Sequence, residues 1–158
     1  MGDFRKMRAS RVRPRAADIF ALDVKGVGYV FGRVMLAGLP EEHPHTSAAL
    51  LCYIYSLCSV DKSVDAGDLR RDELLIPPFF INSMPWRLGY FETIGHVEPT
   101  ETDSLPRHCF YSITWDSYYD EWGNQLKERY EPCGVWGIQA YGGIDFEVSR
   151  ALGITSSD

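Results

Sequence analysis

Alternating apolar and polar positions mark the first clear element of the chain. Phe20, Leu22 and Val24 fall on one face of a strand over Asp18-Ile19-Phe20-Ala21-Leu22-Asp23-Val24. Lys25-Gly26 reads as a turn, and a second strand follows over 27–35. Its odd positions present Val27, Tyr29 and Phe31, and its even positions Gly28, Val30, Gly32 and Val34, so one face is aromatic and the other small. Glycine inside a strand weakens it unless another segment approaches closely or the sheet bends sharply. The pattern therefore predicts a strongly curved antiparallel hairpin.

Residues 38–47 read as a loop. The run 48–58 fits a helical face through Leu51, Ile54, Tyr55 and Cys58, yet also a buried strand, and strand is the favoured reading. Residues 61–72 are polar and loop-like. Pro77-Pro78 is expected to break the chain before Phe79-Phe80-Ile81, and Met84-Pro85 to break it again before Trp86. Strand character returns over 90–97, and 98–106 is a polar loop. Phe110 to Tyr119 alternates well, with Tyr111, Ile113, Trp115 and Tyr119 expected on one face. Glu121-Trp122-Gly123-Asn124 reads as the turn that brings 125–130 back as a hairpin. A strand over 135–141 and a short helix from about Asp145, capped by that residue and ended by Gly153, complete the chain. The sum is six to eight strands with one or two short helices, in an α+β but mostly β fold. It is built on a curved antiparallel sheet or a small SH3-like partial barrel.

Composition narrows the function classes. A chain of 158 residues fits one domain, and no apolar run approaches the ~20 residues of a membrane-spanning helix. Basic residues near the start are not followed by an apolar segment, so a secretory signal is not expected, and the expected location is the cytoplasm. Cys52, Cys58, Cys109 and Cys133 form no CxxC pair and read as buried, reduced thiols. Charge is unevenly spread. Residues 1–15 hold six basic side chains (Arg5, Lys6, Arg8, Arg11, Arg13, Arg15) and one acid, Asp3. The remaining chain sets ten basic against 21 acidic residues, a net −11. The expected division is a basic flexible arm over 1–15 and a single domain over 16–158. An acidic body repels nucleic acid and attracts basic partners.

Catalytic patterns are missing from the sequence: there is no GxSxG, Walker A, HExxH or dinucleotide-binding fingerprint. Gly26, Gly28 and Gly32 sit within a hairpin, the wrong context for a phosphate loop. His43-Pro44-His45 offers two imidazoles without a third ligand at a recognisable spacing, so no metal is expected and the two read as exposed loop residues. No catalytic residue and no cofactor are expected. Trp86, Tyr90 and Trp136 read as core. The favoured site is a recognition patch at the end of the second hairpin: Asp116, Tyr118, Tyr119, Asp120, Glu121 and Trp122. Rings supply contact area and carboxylates steer a basic protein partner.

The order of these segments resembles a known family. Asp18-Ile19-Phe20-Ala21-Leu22 and then Gly28-Tyr29-Val30-Phe31-Gly32-Arg33-Val34 are similar to the opening of the immunity protein 26 family of bacterial polymorphic toxin systems, with Ala17 where that family often has glycine. Pro77-Pro78-Phe79-Phe80-Ile81, then Trp86, Gly89 and Tyr90, and the closing Gly134-Val135-Trp136-Gly137 look similar as well, so the resemblance covers roughly 15–150. It implies an α+β immunity protein without enzymatic activity. Such a protein binds and neutralises a cognate toxin, with a basic nuclease as the candidate partner here. It does not identify toxin-contacting residues. The alternative is a nucleic-acid-binding or processing SH3-like barrel module that uses the basic arm, and a small-molecule sensor with an aromatic pocket is a third reading.

Overall fold

The computed structural model describes residues 2–154. In chain order the elements are β1 (Phe4–Arg5), β2 (Asp18–Val24), β3 (Gly28–Leu36), β4 (Leu50–Ser59), a single 3-10 turn (Ala66–Asp68), β5 (Leu74–Ile81), α1 (Met84–Leu88), β6 (Glu92–His96), β7 (Cys109–Ser112), β8 (Ser117–Tyr119), β9 (Gln125–Leu126), β10 (Cys133–Val135), β11 (Ile138–Gln139) and α2 (Tyr141–Ala151). A curled, half-barrel main sheet runs β1-β2-β3-β4-β5-β11, with β6 also paired to β2. A second, four-stranded sheet runs β10-β7-β8-β9. The fold is α+β and mostly β, as the sequence pattern implies.

Both faces of the main sheet are covered, which explains why its strands are nearly continuous in apolar residues. On one face Phe20, Leu22, Val30, Val34, Cys52 and Ile54 pack with Trp86 of α1 and with Ile144 and Val148 of α2. On the other, Ala21, Phe31, Leu51, Tyr53 and Phe80 pack with Phe110 of the small sheet. Gly32 shows why glycine stands in mid-strand. A Cβ there would lie 2.3 Å from the Phe20 ring and 2.6 Å from the Tyr53 carbonyl oxygen. The missing side chain is what lets Phe20 lie across β3, stacked on Phe91 at 4.7 Å and edge-on to Trp86 at 5.1 Å.

Several local expectations are corrected. Pro77-Pro78 does not break the chain but lies inside β5. The ladder to β4 pairs Phe79 and then Ile76 across a register shift, so it steps over the two residues that lack an N–H. Met84-Pro85 opens helix α1, with proline in the first turn and Gly89 closing it at φ 87°. The run 110–119 is not one strand but the hairpin β7–β8, turned at 113–116. Residues 135–141 hold the end of β10 and the short β11, and α2 begins at Tyr141. Asp145 therefore does not cap that helix. Its buried carboxylate accepts the backbone N–H groups of Asp3 (2.9 Å) and Phe4 (3.1 Å) and the Ser149 hydroxyl (3.2 Å). Two ladders are parallel in an otherwise antiparallel fold, β10 with β7 and β11 with β5.

The basic N-terminal segment makes defined contacts. Phe4 is buried and pairs with Val24. The Met7 N–H donates to the Gly89 carbonyl (2.7 Å), the Ser10 N–H to the Trp86 carbonyl (3.0 Å), and Pro14 is buried.

Candidate partner-binding surface

The small sheet owes its position to its inner face. Phe110 is fully buried, 4.9 Å from Phe80 between ring centroids, and Tyr119 stacks on Trp136 at 5.4 Å. Because side chains alternate along a strand, Tyr111 next to Phe110 and Tyr118 next to Tyr119 face away from that inner face. The register places Val135, Tyr111, Tyr118 and Leu126 opposite one another across β10, β7, β8 and β9. Tyr111 and Tyr118 pack at 5.3 Å. The 113–116 turn extends this outer row with Ile113 (86% exposed) and Trp115 (71% exposed), and Val135 is 56% exposed. Such large apolar side chains in a contiguous exposed group mark a contact surface more often than scattered single residues do.

The six residues singled out from sequence fall at two places. Asp116 lies in the β7–β8 turn at φ 48°, and its carboxylate accepts the Tyr111 hydroxyl at 2.7 Å. That bond holds the Tyr111 phenol above its ordinary pKa. Asp120, Glu121 and Trp122 lie in the β8–β9 turn, at the other end of β8. Asp120 organises this turn by accepting the N–H groups of Trp122 and Asn124, both at 2.9 Å. Tyr118 faces outward and Tyr119 inward. Trp122 is 47% exposed. Glu121 faces inward. Its carboxylate pairs with Nδ1 of buried His108, whose Nε2 meets the Tyr53 hydroxyl at 2.5 Å. The Leu105 N–H donates to that hydroxyl at 3.0 Å. Burial, first of all, pushes the Tyr53 phenol up to about 12. This chain of bonds ties the 98–106 loop and the β8–β9 turn to the main sheet.

Arg33, 1% exposed, secures the same loop from below, donating to the Val97 carbonyl at 3.0 Å and facing Asp103 at 3.7 Å. Arg71 donates to the Ser104 carbonyl at 2.6 Å. Tyr111, Ile113, Trp115 and Val135 are not among the six surface residues expected from sequence. Their signal was size and hydrophobicity at positions that a turn leaves outside the core.

The histidine pair is a further correction. His43 is buried and His45 half-buried, not exposed. The His43 Nδ1 accepts the His45 N–H at 3.0 Å, so its Nε2 carries the proton donated to the Glu121 carbonyl at 2.6 Å. His45 lies 4.2 Å from the Trp136 ring and 4.6 Å from Phe80. Burial, then the neighbouring His43, lowers its pKa from 6.5 to about 4. Among the described residues no group of three or more His, Cys, Asp and Glu side chains could hold a metal ion, and no helix is long and apolar enough to cross a membrane. An open depression of about 710 Å³ lies between β1 and α2, lined by Phe4, Tyr90, Tyr141 and Phe146. The Asp145 carboxylate on its wall is already engaged by the β1 backbone.

A comparison with protein families matches residues 17–121, about two thirds of the chain, to immunity protein 26. The match spans β2 through β8 and most of the candidate surface, while Gly134–Gly137 lies beyond it. No curated protein and no solved structure matches the chain.

Proposed function

The chain belongs to the immunity protein 26 family, and on that premise we propose that it binds and neutralises a cognate toxin domain through the outer face of the small sheet. Inhibition is by occupancy, without chemistry of its own, in the cytoplasm of the cell it protects. The observation that carries this reading is the outward-facing row of exposed Val135 and half-buried Tyr111 and Tyr118, continued by exposed Ile113 and Trp115. Aromatic side chains of this kind are the usual energetic centre of an interface. Asp116 and Asp120 border the row, and the net −11 of residues 16–158 favours a basic toxin, such as a nuclease.

Co-expression with the toxin encoded beside this gene tests the proposal. Rescue of growth and a co-purified one-to-one complex are expected. Trp115→Ala should weaken that complex by about tenfold or more, with an unchanged thermal midpoint, because the ring is exposed. Continued cell death with no complex overturns the immunity reading. Full affinity in Trp115→Ala moves the interface elsewhere.

A further inference from the structure

Two thiols that play no part in the surface contacts meet within the small sheet. β10 runs parallel to β7 with Cys133 directly opposite Cys109. Hydrogen-bonded strands lie about 4.7–4.9 Å apart, inside the roughly 4.4–6.8 Å Cα separation that a disulfide spans. Both side chains turn to the same side, and the Cys109 Sγ lies 3.1 Å from the Cys133 Sγ. Cys109 is buried and Cys133 half-buried, so an incoming oxidant reaches Cys133 first. The chain between them, 24 residues apart in sequence, carries the β7–β8 and β8–β9 turns. Cys52 and Cys58 are both on β4 in the main sheet.

We propose that Cys109 and Cys133 form a disulfide in the folded protein, a redox-controlled staple that fastens β10 to β7. The oxidant is a low-molecular-weight disulfide. The Cys133 thiolate attacks one of its sulfurs, and one small thiolate leaves. The Cys109 thiolate then attacks the Sγ of Cys133 in the mixed disulfide, the protein S–S bond forms, and the second small thiolate leaves. Two protein thiols are oxidised and one small disulfide is reduced to two thiols, with the two protein protons passing to solvent or to those thiolates. Burial, and then the hydrogen bond shared with Cys109, pushes the Cys133 thiol up to about 12. Thiolate is scarce at neutral pH, so closure is slow, as suits a staple and not an exchange catalyst.

The test uses the reduced, folded Cys58→Ser protein, which removes the exposed thiol. It is incubated with oxidised glutathione at pH 8, alkylated and digested with trypsin without reduction. Peptides 108–127 and 130–150 are expected as one linked species, two hydrogens lighter than their sum, and separated by dithiothreitol. Closing a loop of this length should raise Tm by about 5–10 °C. The further variant Cys133→Ser should show neither the link nor the rise. Separate alkylation of Cys109 and Cys133, glutathione retained on either, or a link from either to Cys52 overturns the pairing. A link that leaves Tm unchanged or lower overturns the staple. The protein is measured alone, so the outcome is independent of whether a toxin binds.

Discussion

Single residues carry constraints here that their type alone only half reveals. Ala17 stands where the resembled family often has glycine, and its φ of 81° is a conformation that glycine adopts freely and alanine does not. His45 was legible as a histidine but not as a buried one, because the rings that enclose it, Phe80 and Trp136, come from distant segments. Its environment has a measurable consequence. The folded pKa of about 4 lies below the ordinary 6.5, so as pH falls the unfolded chain binds the proton first. The contribution of His45 to stability is complete above pH 6.5 and drains away as pH falls toward 4. His45→Gln, which cannot titrate, should lose less Tm between pH 7 and pH 5 than the natural protein. An equal loss in both would assign the acid sensitivity to other groups.

At the scale of elements, β2, β3 and β4 of the main sheet were readable because the apolar content of each lies in one run, whereas β5 was not, because Pro77-Pro78 has the signature of a break. Nor was the small sheet. Alternation continues from Tyr111 through Ile113 and Trp115, past the start of the turn, so periodicity alone does not place the reversal at 113–116. The turn is made by short-range bonds that a periodicity count ignores: the Ser112 hydroxyl accepts the Trp115 N–H at 3.2 Å, and the Ser117 hydroxyl donates to the Trp115 carbonyl at 3.0 Å. The reversal pairs Tyr111 with Tyr118 and sends Tyr119 inward beside Phe110, against the expected shared face of Tyr111 and Tyr119. That is also why the six anticipated contacts divide between two turns. Asp145 misled for a similar reason. It has the chemistry of a helix cap, but its partners are 142 and 141 residues away in sequence. Asp145→Ala leaves two N–H groups at β1 without their acceptor, and urea denaturation should show a loss of about 2 kcal/mol. Limited proteolysis should then cut within residues 2–15 first. Unchanged stability would mean that β1 is held by its ladder to β2 alone.

Across the whole molecule, the basic N-terminal segment and the small sheet sit against opposite faces of the main sheet. The basic N-terminal segment runs past α1, whose Trp86 belongs to the core on one face of the main sheet. The small sheet packs through Phe110 into the core on the other face. A partner approaching the outer face therefore meets a body whose residues 16–158 carry a net −11, with the backbone of residues 7–10 on the other side of the main sheet. Charge reversal at Glu121 is a poor probe of this field, because its carboxylate is committed to His108. Ionic strength is a cleaner one. If the toxin is basic, long-range attraction accelerates encounter, and salt screens it beyond about 10 Å at 0.1 M. The association rate should fall about threefold or more between 0.05 and 0.5 M salt, while dissociation, set by the packed rings, changes little. Stopped-flow mixing at several salt concentrations separates the two rates. A flat association rate would mean that the acidic body does not steer, leaving the aromatic row to account for recognition by itself.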